Sequence, residues 1–167
     1  MKNKKVRLLI FGGSGQIGSR AKILLAQKYK VITPSHQQVD ITNQATVVRA
    51  ISFLKPAIII HTAAMTDVDG CELNPYHAFL TNVKGTEAVA RACNLVGATL
   101  FFLSTDYVFD GTKGSPYVEE DTPNPLSAYG RSKYEAEEYL KSHAYSVWII
   151  RSSWLFGQNG RNFFRAI

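Results

Sequence analysis

Cysteine is scarce: Cys71 and Cys93 are the only two, 22 positions apart and without a Cys-x-x-Cys spacing. That excludes a disulfide framework and a thiolate zinc cluster, and leaves reduced, unremarkable thiols. No metal ligand set is assigned. Long apolar runs are missing too. The longest, 57–60 and 98–103, fall far short of the ~20 residues that cross a bilayer. The charged start, Met1-Lys2-Asn3-Lys4-Lys5, leads into an apolar stretch that stops at Gly12-Gly13, too short for a secretory signal. A cytoplasmic protein with no membrane association is expected. Acidic residues are absent from positions 1–39, where eight Lys/Arg stand; the first carboxylate is Asp40, and the net charge is +6. These cations scatter along a strand and a helix without interleaved aromatics or a nucleic-acid motif. A solvated surface with some attraction for a phosphorylated ligand is therefore expected, and no nucleic-acid partner.

What is present is the make-up of an ordinary globular domain, 46% hydrophobic and 19% charged in 167 residues, enough for one sizeable core. Strand-like and helix-like segments alternate. Apolar strands are predicted at 6–11, 31–33, 57–61, 99–104 and 146–151. Helices are predicted over 16–28, after a Thr42 cap with Ala45, Val48, Ile51 and Leu54 on one face until Pro56, over 75–96 with Gly97 as its stop, and over 128–142. Near-continuous apolar strands alternating with helices imply an α/β fold: a Rossmann-like, doubly wound parallel sheet filling residues 1–167 as one domain. The segment 106–127, rich in Gly, Pro and acids, is the one long irregular stretch, the kind that is functional or partly disordered.

The first strand runs into Gly12-Gly13-Ser14-Gly15-Gln16-Ile17-Gly18. One glycine permits the tight turn, a second lets backbone approach a pyrophosphate, and a third lets helix and strand pack closely. The free N–H groups and the helix dipole then favour phosphate. Strand before, helix after and further β–α units supply the context that a dinucleotide-binding turn requires. The spacing Gly12, Gly15, Gly18 resembles that of short-chain dehydrogenases/reductases. After the second strand stands Pro34-Ser35-His36, with no acid to bind a ribose 2′-OH and repel a 2′-phosphate. NADP(H) is therefore favoured, with His36 and basic surroundings near the 2′-phosphate, while NAD(H) stays open.

Tyr129 and Lys133 stand at i and i+4, on one helical face, where an ammonium is expected to lower the tyrosine pKa and make it a usable acid. Upstream, the strand 99–103 ends in Ser104-Thr105-Asp106-Tyr107-Val108-Phe109-Asp110-Gly111, at the edge of a parallel sheet where ligands bind. Together with Pro123-Asn124-Pro125-Leu126-Ser127-Ala128-Tyr129-Gly130-Arg131-Ser132-Lys133 and Arg151-Ser152-Ser153-Trp154-Leu155-Phe156-Gly157, this resembles the dTDP-4-dehydrorhamnose reductases, which are extended short-chain dehydrogenases/reductases. His61-Thr62-Ala63-Ala64-Met65-Thr66-Asp67-Val68-Asp69 and Asn82-Val83-Lys84-Gly85-Thr86 fit the same pattern.

The resemblance implies NAD(P)H-dependent reduction of the C4 keto group of dTDP-4-dehydro-L-rhamnose. Thr105, Tyr129 and Lys133 would be catalytic: Thr105 polarising the carbonyl, Tyr129 supplying its proton, Lys133 tuning Tyr129 and holding the ribose. Gly12, Gly15, Gln16, Ile17 and Gly18 would form the pyrophosphate turn, and Ser35, Asp40 and Ile41 the adenosine end. Ala63, Ala64, Met65 and Thr66 would run beside the cofactor, with Asp106, Tyr107 and Trp154 facing the dTDP-sugar. Trp154 fits a packing role equally well. Asn82 is expected to brace the neighbouring strand. His61 stands where the family commonly has Asn and reads as a satisfied buried histidine; Met65 and Asp67 also depart from the commonest residues. Family members run to nearly twice this length, so the chain is expected to lack most of the sugar-binding part; a homodimer is compatible with the resemblance. Two other readings stay open: a non-catalytic NADP-binding subunit like the regulatory subunit of methionine adenosyltransferase, and another nucleotide-sugar reductase or epimerase.

Overall fold

The computed structural model describes residues 5–157. Five short strands alternate with helices: β1 (Arg7–Phe11), α1 (Gln16–Leu25), β2 (Lys30–Ile32), α2 (Gln44–Leu54), β3 (Ile58–His61), α3 (Val68–Leu73), α4 (Pro75–Ala78), α5 (Gly85–Val96), β4 (Thr99–Thr105), α6 (Ala128–His143) and β5 (Val147–Ser152). The strands are rich in Ile, Leu, Val and Phe, which suit a buried pleated surface. All pair in parallel, in the order β2-β1-β3-β4-β5. The chain steps outward from β1 to β2, then returns to lay β3 on the other flank of β1. That reversal opens a crevice at the carboxyl ends of β1 and β3, where α/β sheets bind ligands. This is the Rossmann-like, doubly wound sheet expected from the alternation of elements.

One face of the sheet carries the main core. Leu9, Phe11, Ile59, Leu100 and Phe102 point into it and meet Val47 and Ile51 of α2, Val89 and Ala92 of α5, and Leu140 of α6, all buried. Each of the larger of these side chains contributes about 1.5–3 kcal/mol by leaving water. On the opposite face Phe101 stacks on Trp148 with ring centroids 6.4 Å apart, while Trp148 and Ile150 stay exposed. No helix among the described residues is long and apolar enough to cross a membrane.

The elements depart from the sequence reading in places, each with a local reason. Asn43, not Thr42, caps α2 by accepting the Thr46 N–H; Thr42 instead gives its N–H and hydroxyl to the Asp40 carboxylate. The helix expected over 75–96 is interrupted by a π-turn, Phe79–Lys84, between α4 and α5. Its end is as expected, with Gly97 in the left-handed region at φ 68°. A short helix, α3, precedes it. The stretch 106–127 is held chiefly by two carboxylates: Asp110 accepts from Thr112 N–H, Thr112 Oγ1, Tyr117 O–H and Asn124 Nδ2, and Asp121 pairs with Lys113 and accepts the Val118 N–H. The bonds to Asp110 hold its carboxyl well below the usual range.

Candidate active site

The glycine turn sits at the end of β1 with little room to spare. Gly12 has φ +83°, and a Cβ there would come within 2.6 Å of the Ala63 nitrogen and of Thr62 Oγ1. A Cβ on Gly18 would lie 2.2 Å from the Gly12 carbonyl oxygen, so the third glycine is where α1 packs on the turn. The Gly15 N–H donates to the Gly12 carbonyl at 3.0 Å, closing the loop and pointing the start of α1 at the crevice. Thr62 ties β3 to this turn, its hydroxyl donating to the Phe11 carbonyl at 2.9 Å.

Two adjoining cavities share Gly15, Thr62 and Ala64. One, of about 510 Å³, is lined by Gly12, Gly15, Asp40, Ile41, Ala63, Ala64 and Met65 together with Pro34, His36, His77 and Thr81. The other, of about 430 Å³, is lined by Gly15, Gln16, Ile17, Thr66, Thr105, Asp106, Tyr107, Tyr129, Lys133 and Trp154 among others. Nearly every residue singled out in the sequence therefore meets one continuous crevice. Two do not line it. Gly18 is buried against the turn, and the exposed Ser35 lies outside, its hydroxyl accepting the Gln38 N–H at 3.3 Å while its neighbours Pro34 and His36 face the cavity. Thr62 was given no role although it stands in the quoted stretch after β3, and His77 and Thr81 were missed because they reach the crevice from the α4 region without any motif of their own. A further cavity of about 420 Å³ lies beyond Tyr107 and Trp154, lined also by Tyr117, Leu126 and Ser127. Trp154 borders both and holds a left-handed φ of 46°, a conformation that costs a bulky residue energy and gathers at functional sites.

The start of α6 is seated with care. Ser127 caps it by accepting the Gly130 N–H at 3.0 Å, and Glu72 accepts the Ala128 N–H at 2.5 Å. A Cβ on Gly130 would fall 2.2 Å from the Tyr107 carbonyl oxygen, so glycine lets the helix press against the turn at Asp106–Val108. The last three residues of β4 then meet successive turns of α6. Lys133 Nζ donates to the Leu103 carbonyl at 2.8 Å, Ser104 Oγ donates to Glu137 at 2.5 Å, and the Thr105 hydroxyl, which donates to Asp106 Oδ1 at 3.1 Å, lies near enough to Tyr129 to influence its ionisation. Tyr107 meets Tyr129 edge-on at 5.7 Å.

Electrostatics differ from the simple i, i+4 expectation. Burial pushes the Tyr129 hydroxyl above its ordinary value, against the neighbouring Thr105 hydroxyl, which pulls it down. Lys133 is buried, its ammonium 3.9 Å from the centre of the Phe102 ring, and burial lowers it to about 7 despite the opposing pull of Glu137. Asp40, raised by burial but lowered more by its two bonds from Thr42, ends below the usual value.

Behind the crevice, Asn82 in the π-turn grips Met65 from both sides: Oδ1 accepts its N–H at 2.8 Å and Nδ2 donates to its carbonyl at 3.0 Å. The same Nδ2 donates to Ser132 Oγ at 2.9 Å, joining the loop after β3 to α6. His61 lies buried between Phe11 and Phe102, its Nε2 3.1 Å from Thr86 Oγ1. Thr86 gives its own proton to the Asn82 carbonyl, so Nε2 is the protonated nitrogen. Nδ1 has no partner among the described residues, so this histidine is only half satisfied. Burial first, and Lys133 second, hold it down to about 3.

A pyrophosphate fits the glycine cradle: Gly12 and Gly18 leave no space for side chains, α1 opens toward the crevice, and Gln16 Nε2 is buried there without a hydrogen-bond partner among the described residues. A parallel sheet with this turn, a hydroxyl at the end of β4 and a Tyr/Lys helix beside it defines a short-chain dehydrogenase/reductase of the extended type. The chain belongs to the family described as RmlD substrate binding domain, which matches residues 6–167. It is 41% identical over 163 residues to the dTDP-4-dehydrorhamnose reductase of Aggregatibacter actinomycetemcomitans, covering 96% of this chain and 55% of that protein. Among solved structures it is similar to the dTDP-4-dehydrorhamnose reductase of Bacillus anthracis in complex with NADP, with TM-score 0.94 and 38% identity over 98% of this chain and 58% of that one. It is also similar to a UDP-glucose 4-epimerase from Brucella ovis in complex with NAD, with TM-score 0.77 and 28% identity over 89% of this chain and 51% of that one. The chain spans about half the length of the curated relatives it matches.

Proposed function

We propose that this chain is the cofactor-binding and catalytic half of an enzyme that reduces the C4 keto group of dTDP-4-dehydro-L-rhamnose to give dTDP-L-rhamnose, with NADPH preferred to NADH. The observation that carries the reading is the meeting of Thr105, Tyr129 and Lys133 on the wall of a crevice whose other end is the glycine cradle. A bound dihydronicotinamide supplies hydride; the chain supplies the rest. Gly15, Gln16 and Ile17 hold the pyrophosphate at the start of α1, and Asp40 and Ile41 border the adenosine. The cavity wall beside His36 lacks an acid at Pro34-Ser35-His36 and so admits a 2′-phosphate.

Thr105 Oγ1 hydrogen-bonds the sugar C4 oxygen, and Tyr129 O–H delivers the proton that turns that oxygen into a hydroxyl. Lys133 steadies the phenolate left behind and holds the ribose. Asp106, Tyr107 and Trp154 bind the nucleotide-sugar, with the adjoining cavity past Trp154 receiving its remainder. Such a reaction makes a soluble polysaccharide precursor, which suits a cytoplasmic protein. The test is NADPH and NADH oxidation by the full-length protein with dTDP-4-dehydrorhamnose against UDP- and GDP-linked keto-sugars. Turnover confined to the dTDP sugar supports the reading; preference for another nucleotide-sugar, or dinucleotide binding without turnover of any, overturns it.

A further inference from the structure

Glu137 is the most deeply buried acid among the described residues, with no accessible surface at all. It occupies the turn of α6 after Lys133, as Lys133 occupies the turn after Tyr129, so the three share one helical face. Its carboxylate is fully engaged. Oε1 accepts Ser104 Oγ at 2.5 Å and Arg151 Nε at 3.0 Å, while Oε2 accepts the Arg151 terminal nitrogen at 2.6 Å. Ser104 and Arg151 are register partners on β4 and β5, and the Arg151 guanidinium lies 4.9 Å from the centre of the Phe109 ring.

Burying a carboxylate in an ion pair is a poor source of stability, since apolar residues of similar volume do as well, so its placement asks for another reason. The placement is specific. Ser104 lies between Leu103, which receives the Lys133 ammonium, and Thr105, which meets Tyr129. We propose that Glu137 is a positioning residue: through Ser104 and Arg151 it fixes the spacing of β4, β5 and α6, so that Thr105, Tyr129 and Lys133 keep one geometry, and it supplies the counter-charge to the buried ammonium. This rests on the catalytic reading of those three residues.

The surroundings of Lys133 make the second part specific. Tyr129 and Glu137 flank it on α6, the Phe102 ring and Leu103 carbonyl face it from β4, and His61 stands behind on β3. Arg151 lies beyond Glu137 on β5, and Cys71 and Asp106 are nearer Tyr129. Of these groups, the Glu137 carboxylate is the one that raises Lys133, against the larger effect of burial. Removing its charge leaves the ammonium with a neutral wall.

The experiment compares full-length wild type with Glu137→Gln, Ser104→Ala and the double variant Glu137→Gln/Arg151→Met, which removes both charges of the pair should the single variant leave Arg151 unpaired and fail to fold. NADPH affinity, kcat and KM are measured across pH, and the Lys133 side chain is titrated by carbon-13 NMR of labelled lysine. The expected result is NADPH affinity and KM within about 3-fold of wild type and kcat lower by about 10- to 100-fold. Glu137→Gln and the double variant also titrate Lys133 about one unit lower, whereas Ser104→Ala lowers kcat without moving that titration. A folded variant lacking the Glu137 charge, with wild-type kcat and an unmoved Lys133 titration, overturns the proposal. If wild type itself oxidises no NADPH with any sugar, the catalytic reading fails separately, and an unmoved Lys133 titration still counts against Glu137.

Discussion

The ammonium of Lys133 donates to the carbonyl of Leu103 across 2.8 Å, two residues before the Thr105 that meets Tyr129. This bond aligns the end of β4 with α6 and turns the lysine toward the strand. The tyrosine's acidity is governed here by burial and by Thr105, so in this arrangement Tyr129 is a protonated hydroxyl ready to give its proton. Tyr129→Phe should lower kcat for keto-sugar reduction by about 10²–10⁴-fold. NADPH affinity, followed by its fluorescence, should stay close to wild type. A variant with activity within a few-fold of wild type would remove Tyr129 from the mechanism.

The buried histidine predicts acid sensitivity. His61 titrates at about 3 in the native state against an ordinary 6.5, so between those values the unfolded chain binds a proton that the native one refuses. The stability from the neutral ring is complete above pH 6.5 and is lost as pH falls toward 3, at up to ~1.4 kcal/mol per unit. Lys133 acts with the same sign in a higher window: from about 7 to 10.5 stability rises with pH. His61→Asn should flatten the fall of the urea midpoint below pH 6.5 while leaving the alkaline rise intact. Equal acid slopes in the two proteins would refute the assignment.

Two glycine substitutions should behave differently. Gly18→Ala drives a methyl to 2.2 Å from the Gly12 carbonyl and should displace the turn, weakening NADPH binding on the order of 100-fold. Gly111→Ala has a left-handed φ of +78° but open space around it, and should cost about 1 kcal/mol with unchanged binding. Calorimetric titration of both variants with NADPH checks the pair.

Cofactor choice should be movable at one position. His36 lines the cavity that Gly12, Asp40 and Ile41 also line, close to Asp40, whose carboxyl it helps hold down. His36→Glu should cut kcat/KM for NADPH by about tenfold or more, through repulsion of a 2′-phosphate, and leave NADH little changed. A variant that keeps the wild-type ratio between the two would place the discrimination elsewhere.

Residue order alone determined much of this protein. Apolar strands alternating with amphipathic helices required a parallel sheet covered by helices, because a strand buried on both faces has no polar side to show. The spacing Gly12, Gly15, Gly18 after β1 fixed the cradle, since no side chain is tolerated at Gly12 or Gly18, where the turn doubles back. The spacing of Tyr129 and Lys133 put both on one face of α6, as helix geometry demands. Local patterns of this kind are legible because the residues that make them are neighbours in the chain. The π-turn, the pull of burial on Tyr129 and the half-satisfied His61 were not legible, because each depends on what packs against it from elsewhere. Above all, the tertiary structure decided the role of Glu137. In the sequence it is one acid among several on a polar helix; in the fold, β4 and β5 bring Ser104 and Arg151 to it and close it off from water. Only the pairing of distant strands creates that environment, and with it the support on which the Thr105, Tyr129 and Lys133 geometry rests.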